Sequence, residues 1–383
     1  MKFALLVFSN FKRHKLRTAL TILSIAVAFI LFGYLAAIRT AFAMGVDVAG
    51  ADRLVVRHKV SIIQLLPKSY ESDIERIAGV QQATSSTWFG GIYQDERNFF
   101  AQIAVQPDEY LDMFPEFVVP PDQREAWLKT KTGVVIGRGL ANRFNFKIGD
   151  KLPLRGTIWR PADGDTWTFD VVGIYEGGKP ETDTSQLFLR YDYLDEARPF
   201  AKGMVGWYHM KIDDPDRAAA IAQQVDETFA NSPAETKTET EGAFMKAFAD
   251  QVGDIGAIVT AILSAVFFTI LLVAGNTMAQ AVRERIGELG VLKAIGFTDL
   301  QMLALVLAES LIIAVIGGSL GLWIGALAVS AGDPTNGALP VFFLPGRDVA
   351  LGAVAVILLG LVTGALPAVQ AMRLNAVDAL RRE

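Results

Sequence analysis

The 383-residue chain contains no cysteine and only three histidines, His14, His58 and His209, far apart in the sequence. The first absence excludes disulfide frameworks, cysteine zinc sites and thiol nucleophiles. The second removes the paired histidines from which many zinc sites are built. An excess of basic residues is also missing. Against 36 Lys and Arg stand 41 Asp and Glu, a formal net charge of −5, so no global charge draws the chain to nucleic acid. Disorder is excluded from the other side, because it needs low hydrophobicity, whereas 51% of this chain is hydrophobic and its mean hydropathy is +0.32.

The apolar residues crowd into four blocks. Thr18 to Ile38 holds 21 residues without a charge, Ile255 to Val282 holds 28, Leu300 to Gly332 is broken only by Glu309, and Val349 to Met372 holds 24. A bilayer core takes about 20 helical residues at ~1.5 Å each, so every block is long enough to span. Helices buried in a soluble protein would carry a polar face, and these are apolar all round. The first block also resembles a signal peptide, with its basic flank and Ala41-Phe42-Ala43. Its length exceeds the usual apolar region of about 7–15 residues and Arg39 follows it, which favours an uncleaved helix.

Lys and Arg in the short flanks set the orientation. Lys2, Lys12, Arg13, Lys15 and Arg17 precede the first block; Arg283, Arg285 and Lys293 lie between the second and third; Arg373, Arg381 and Arg382 follow the fourth. The segment between the third and fourth has Arg347 alone. Both termini and the middle turn are therefore expected in the cytoplasm, with residues 45–253 outside. The expected organisation is a basic amino-terminal helix (1–17), a first span and stalk (18–44), an outer domain (45–253), a second span (254–282), a cytoplasmic helix (283–299), a third span (300–332), a short outer loop (333–348), a fourth span (349–372) and a tail (373–383).

The outer segment carries 23 Lys and Arg against 32 Asp and Glu, net −9, which argues against docking on anionic headgroups. Its pattern is mixed. Strands are expected near 52–60, 80–93, 98–106, 133–136, 166–176, 186–190 and 207–212, and helices near 69–78, 107–114, 123–129, 138–144 and 214–229. Two strand–helix pairs, near 52–78 and 207–229, point to a split α+β unit with an insertion between them. A further helix near 242–250 leads toward the second span.

No catalytic constellation emerges. The segment has no G-x-S-x-G or H-E-x-x-H. Asp213, Asp214 and Asp216 lack the glycine and distal glutamate of a calcium loop, so they read as a helix cap. Gly177-Gly178-Lys179 lacks the upstream glycine and following Ser or Thr of a phosphate loop. No Walker motif occurs anywhere in the sequence, so no cofactor is expected on this chain.

The stretch AQAVRERIGELGVLKAIGFTDLQ between the second and third blocks is the most informative. Val282, Ile286, Leu289 and Lys293 recur at helical spacing, with Arg283, Glu284, Arg285 and Glu288 on other faces. Gly296 sits where a helix would stop, and Thr298 or Asp299 can cap the next one. A short amphipathic helix on the cytoplasmic surface follows directly, and an interfacial turn that needs no specific partner fits the pattern equally well. Glu309 is the one ionisable group inside a block, near its cytoplasmic end, and reads equally as an interfacial or a functional carboxylate. Gly317, Gly321 and Gly325 form a doubled GxxxG, suited to helix packing within the chain or to a dimer seam.

RERIGELGVLKAIGF resembles the cytoplasmic coupling segment of MacB/FtsX-type ABC permeases, the group that includes LolC and LolE. NFKRHKLRTALTILSIAVAF resembles their first span, GVVIGRGLANRFNFKIGDKLPL with FDVVGIYEGG their periplasmic core domain, and ESLIIAVIGGSLGLWIG and GALPAVQAMRLNAVDALR their last two spans. The resemblance implies a four-helix membrane protein of a bacterial inner membrane with a large α+β periplasmic domain between helices 1 and 2. It implies a non-catalytic permease subunit, paired with a second copy or a paralogue and driven by a cytosolic ATPase dimer that holds the ATP and magnesium. Its outer domains then move to export or extract an amphiphilic, peptide or lipid-like substrate. An adaptor with an outer-membrane channel is a further implied partner. A regulator of a cell-wall hydrolase, as FtsX itself is, is the alternative reading. ATPase coupling is expected of Arg283, Glu284, Arg285, Ile286, Glu288, Leu289 and Lys293. Arg285 and Glu288 would seat the ATPase while Ile286 and Leu289 fill its groove, so Glu288→Lys or Leu289→Asp would uncouple the two without unfolding the chain.

Overall fold

The computed structural model describes residues 15–43, 50, 52–252, 255–334, 339 and 341–374. Most of the basic amino-terminal helix, the end of the first stalk and the tail beyond Leu374 lie outside the described residues. The elements, in chain order, are α1 (Lys15–Ala43), β1 (Arg53–His58), β2 (Leu66–Pro67), α2 (Tyr70–Glu75), β3 (Val80–Trp88), β4 (Gly91–Ile92) and β5 (Gln102–Val105). Next come α3 (Pro107–Met113), β6 (Phe117–Val118), α4 (Pro121–Lys129), β7 (Gly133–Gly137), α5 (Arg138–Phe144), β8 (Lys151–Gly156) and β9 (Thr166–Gly177). Then follow β10 (Leu187–Arg190), α6 (Tyr191–Ala197), β11 (Met204–Val205), β12 (Trp207–Ile212), α7 (Ala218–Thr228), β13 (Thr236–Thr240) and α8 (Glu241–Val252). The last are α9 (Ile255–Glu284), α10 (Ile286–Ala294), α11 (Asp299–Ser330) and α12 (Gly346–Met372). The chain divides into two compact units, one of residues 1–40, 254–332 and 343–383, the other of 41–253 and 333–342.

In the first unit, α1, α9, α11 and α12 are each long and apolar enough to cross a membrane. Small residues bring them together. A β-carbon on Gly318 would lie 2.2 Å from Val356, and one on Gly360 would lie 2.9 Å from the Leu311 backbone. The Ser310 hydroxyl bonds the Gly360 carbonyl at 2.8 Å, so α11 and α12 touch almost backbone to backbone. Gly317, Gly321 and Gly325 face α1 of the same chain. A β-carbon on Gly321 would come within 2.4 Å of the Ala26 carbonyl oxygen. The doubled GxxxG is thus occupied by packing within the chain. At one end of the bundle Arg39 on α1 pairs with Asp348 in the first turn of α12 at 2.6 Å. α12 begins at Gly346, after Pro345 and three residues ahead of its uncharged block.

The second unit is built on one mixed sheet in the order β13-β1-β12-β3-β5-β10-β7-β9-β8-β4, with β6 paired to β9. The two strand–helix pairs expected from the sequence meet: β1 and β12 are antiparallel neighbours, with Val55 opposite His209. The insertion between them extends the same sheet through β3 and β5. One face carries the main core, including Leu54, Val56, Val134, Ile136, Leu187 and Tyr208. The alternate residues Val105, Val135 and Phe188 meet Tyr110, Phe114 and Trp127 on the other. The result is an α+β domain inserted between the first two membrane helices, as the sequence pattern predicts.

Candidate coupling segment

The chain leaves α9 at Glu284 and turns at Arg285, whose backbone (φ −114°, ψ 16°) departs from the helical region before α10 begins. α10 ends in a left-handed Gly296 (φ 109°). The Phe297 amide reaches back to the Leu292 carbonyl and the Gly296 amide to that of Lys293, a closed glycine cap. Two residues on, Thr298 caps α11 reciprocally with Gln301. Both the stop and the restart are written in IGFTDLQ.

The seven residues expected to act in coupling fall on two sides. Leu289 is 1% exposed and packs with Val282, Met302, Leu305, Ala368 and Ala371. It anchors α10 to its own bundle and does not reach outward; the expectation that it fills a partner's groove assigned it to the wrong face, because helical spacing alone does not say which face is inside. Ile286 is half-buried. Arg285 Nη1 donates to Glu309 Oε2 at 2.8 Å and Nε to Glu288 at 3.4 Å. Lys293 Nζ donates to the Met372 and Leu374 carbonyls at 2.6 and 2.7 Å and pairs with Asp299 at 2.8 Å. Glu284 pairs with Arg17 of α1 at 2.5 Å and accepts from Gln280 at 3.0 Å. Arg283 and Glu288 are exposed.

The exposed side extends beyond these seven residues. Val291, Ile295 and Leu300 are 45%, 72% and 73% exposed. Apolar and charged side chains thus share one surface, backed by a segment fixed at both ends. The signal for this side was present in the sequence, since Val291 and Ile295 are four residues apart, one helical turn.

Among its described residues the inserted domain offers no comparable site. Among the described residues no group of three His, Asp or Glu is placed to hold a metal. Asp214 caps the turn at Pro215 by accepting from the Asp216 amide at 3.0 Å. His209 is enclosed by Tyr110, Phe114 and Trp207. Burial, aided by Arg53, lowers its pKa to about 3. Its ring is packed as part of this aromatic core. Arg53 itself is clamped between Glu116 and Glu241, each at 2.7 Å.

Two family profiles match the chain: the MacB-like periplasmic core domain over residues 18–228 and the FtsX-like permease C-terminal region over 255–376. The second contains α10 and its flanking helices. An uncharacterised ABC transporter permease of Methanocaldococcus jannaschii, MJ1507, is 23% identical over 98% of this chain and 96% of its own length. The uncharacterised ABC transporter permease YknZ of Bacillus subtilis is 27% identical over 60% of this chain and 57% of its own. The macrolide export ATP-binding/permease protein MacB of Nitrobacter winogradskyi is 36% identical over 32% of this chain, which spans only 19% of that relative's length. With its two parts matched in order and its fold described, the chain belongs to the family of MacB/FtsX-type ABC transporter permeases.

Proposed function

We propose that this chain is a permease subunit that passes movement of a separate cytosolic ABC ATPase dimer to its inserted domain, and so drives export or extraction of an amphiphilic, peptide or lipid-like substrate. The observation that carries this reading is the two-sided α10. One side is locked into the bundle by Leu289 and two ion pairs, while the other presents Glu288 and Val291, with Ile295 just beyond its end. A helix built this way receives force on its outer side and delivers it through its inner one. The asymmetry of Lys and Arg in the flanks supports placing α10 and both termini in the cytoplasm of a bacterial inner membrane and the inserted domain in the periplasm. A second copy or a paralogue completes the permease. A periplasmic adaptor with an outer-membrane channel belongs to the same reading, and lipid surrounds the helices.

The test places a photoreactive amino acid at Val291 in the full chain in its native membrane. An ABC ATPase subunit should appear in the cross-linked product, and that ATPase, co-expressed, should co-purify and hydrolyse ATP faster with the permease than alone. Glu288→Lys and Val291→Asp should each reduce both effects. The reading fails when no ATPase is cross-linked, or when both variants bind and stimulate it as the parent chain does.

A further inference from the structure

The Lys293 ammonium has three protons and meets three acceptors, the Met372 carbonyl at 2.6 Å, the Leu374 carbonyl at 2.7 Å and the Asp299 carboxylate at 2.8 Å. Met372 is the last residue of α12 and Asp299 the first of α11. The carbonyls at the end of a helix lack partners within it and carry its partial negative charge; a carboxylate at the start of a helix sits at the positive end. Lys293 therefore lies between the negative end of α12 and an acid at the positive end of α11. It caps the one and pairs with the other, from a third helix.

The other end of α10 is tied to the same pair. Arg285 holds Glu309 of α11 at 2.8 Å, and between the two ties Leu289 packs on Val282 of α9, Met302 and Leu305 of α11 and Ala368 and Ala371 of α12. α11 and α12 themselves touch through Gly318, Gly360, Gly364 and Ser310. On the α9 side, the backbone breaks at Arg285. α10 is thus tied by ion pairs to α11 and by hydrogen bonds to the end of α12, around a buried leucine whose cluster takes in α9, α11 and α12.

We infer that Lys293 is the positioning residue that carries a push on α10 into the end of α12. This rests on the coupling reading above and names one route for it, from α10 through Lys293 into α12. Lys293 does not touch the ATPase. Its side chain is saturated by its own chain, which separates it from Glu288 and Val291 on the outer side.

The experiment uses the full chain in nanodiscs with the ATPase identified by the Val291 cross-link. Lys293→Met keeps the aliphatic stem and removes the ammonium. The ATPase concentration that gives half-maximal stimulation should stay within about twofold of the parent, while maximal stimulation falls about tenfold, the effect of losing a charge-assisted contact. Lys293→Arg should restore most of it. Asp299→Asn, which alters an exposed partner only, should lower the maximum in the same direction by less, and it keeps the test open should the methionine variant not fold. The inference is overturned when Lys293→Met and Asp299→Asn both stimulate fully, or when either loses binding in proportion to stimulation. A parent chain that binds no ATPase at all would instead sink the coupling reading.

Discussion

Arg285 Nη1 and Glu309 Oε2 stand 2.8 Å apart, with both side chains nearly enclosed. Glu309 interrupts an apolar block that the sequence alone reads in two ways; the structure makes it the counter-ion of the residue at which α9 ends. A nearly buried pair is held by mutual attraction against the loss of water, so removing one partner leaves a charge stranded. Glu309→Leu or Arg285→Met should each cost about 3–5 kcal/mol, whereas the double replacement should recover most of that loss. Thermal unfolding of the four proteins in detergent measures the coupling. Additive losses would mean that the pair is solvated.

Leu289 and Val291, two residues apart, should respond oppositely to a charge. Leu289→Asp buries a carboxylate among Met302, Leu305 and Ala368 and should cost several kcal/mol, roughly the loss of a core leucine plus the desolvation of an ion. The variant is expected to be lost from the membrane and so reports nothing on coupling. Val291→Asp, at a half-exposed site, should leave yield and melting temperature unchanged and weaken only the partner contact. Equal yields of the two would place α10 the other way round.

How far the sequence could be read depended on how local each signal was. The four membrane helices, the glycine stop at Gly296 and the Thr298 cap are legible because they depend on unbroken apolar runs and on adjacent residues. All seven strands read from alternation are present. β8 was missed because Pro153 interrupts a strand whose burial nevertheless alternates without a fault. β13 was missed because TKTET has no apolar residue; Asp226, accepting from both Thr236 and Thr238, does the work of a hydrophobic contact. Which side of α10 packs inward was not legible, since its anchors lie 13 to 79 residues away, Met302 from Leu289, Glu309 from Arg285 and Met372 from Lys293.

The Gly317-Gly321-Gly325 row should show a graded response to alanine. At Gly321 the new methyl would press on backbone, 2.4 Å from the Ala26 carbonyl oxygen and 2.9 Å from its α-carbon; at Gly325 the nearest atom is 3.4 Å away, and at Gly275 on α9 nothing lies within 4 Å. Backbone cannot yield as a flexible side chain does, so Gly321→Ala should cost about 1–3 kcal/mol. Gly325→Ala should cost less, and Gly275→Ala should be neutral or slightly stabilising, because alanine favours the helix. Melting temperatures in one detergent rank the three. A flat response would separate α1 from α11.

His209 gives the inserted domain a predictable pH dependence. Trp207 Nε1 donates to His209 Nε2 at 2.9 Å, so in the neutral ring the proton sits on Nδ1, which has no nitrogen or oxygen partner among the described residues. Burial and then the charge of Arg53 lower the pKa from 6.5 to about 3. A base whose folded pKa is depressed binds its proton first in the unfolded chain. Its stabilising effect is therefore complete above the unfolded value and is lost as the pH falls from about 6.5 toward about 3, at up to ~1.4 kcal/mol per pH unit. His209→Gln retains an acceptor for the indole and cannot titrate. Denaturant unfolding of the full chain, followed by tryptophan fluorescence, should show the parent losing stability relative to this variant as the pH goes from 6.5 to 4.5. The carboxylates of the domain titrate in both proteins and cancel in the comparison. A difference that stays constant over that range would mean that the imidazole accepts a proton in the folded domain as readily as in the unfolded chain.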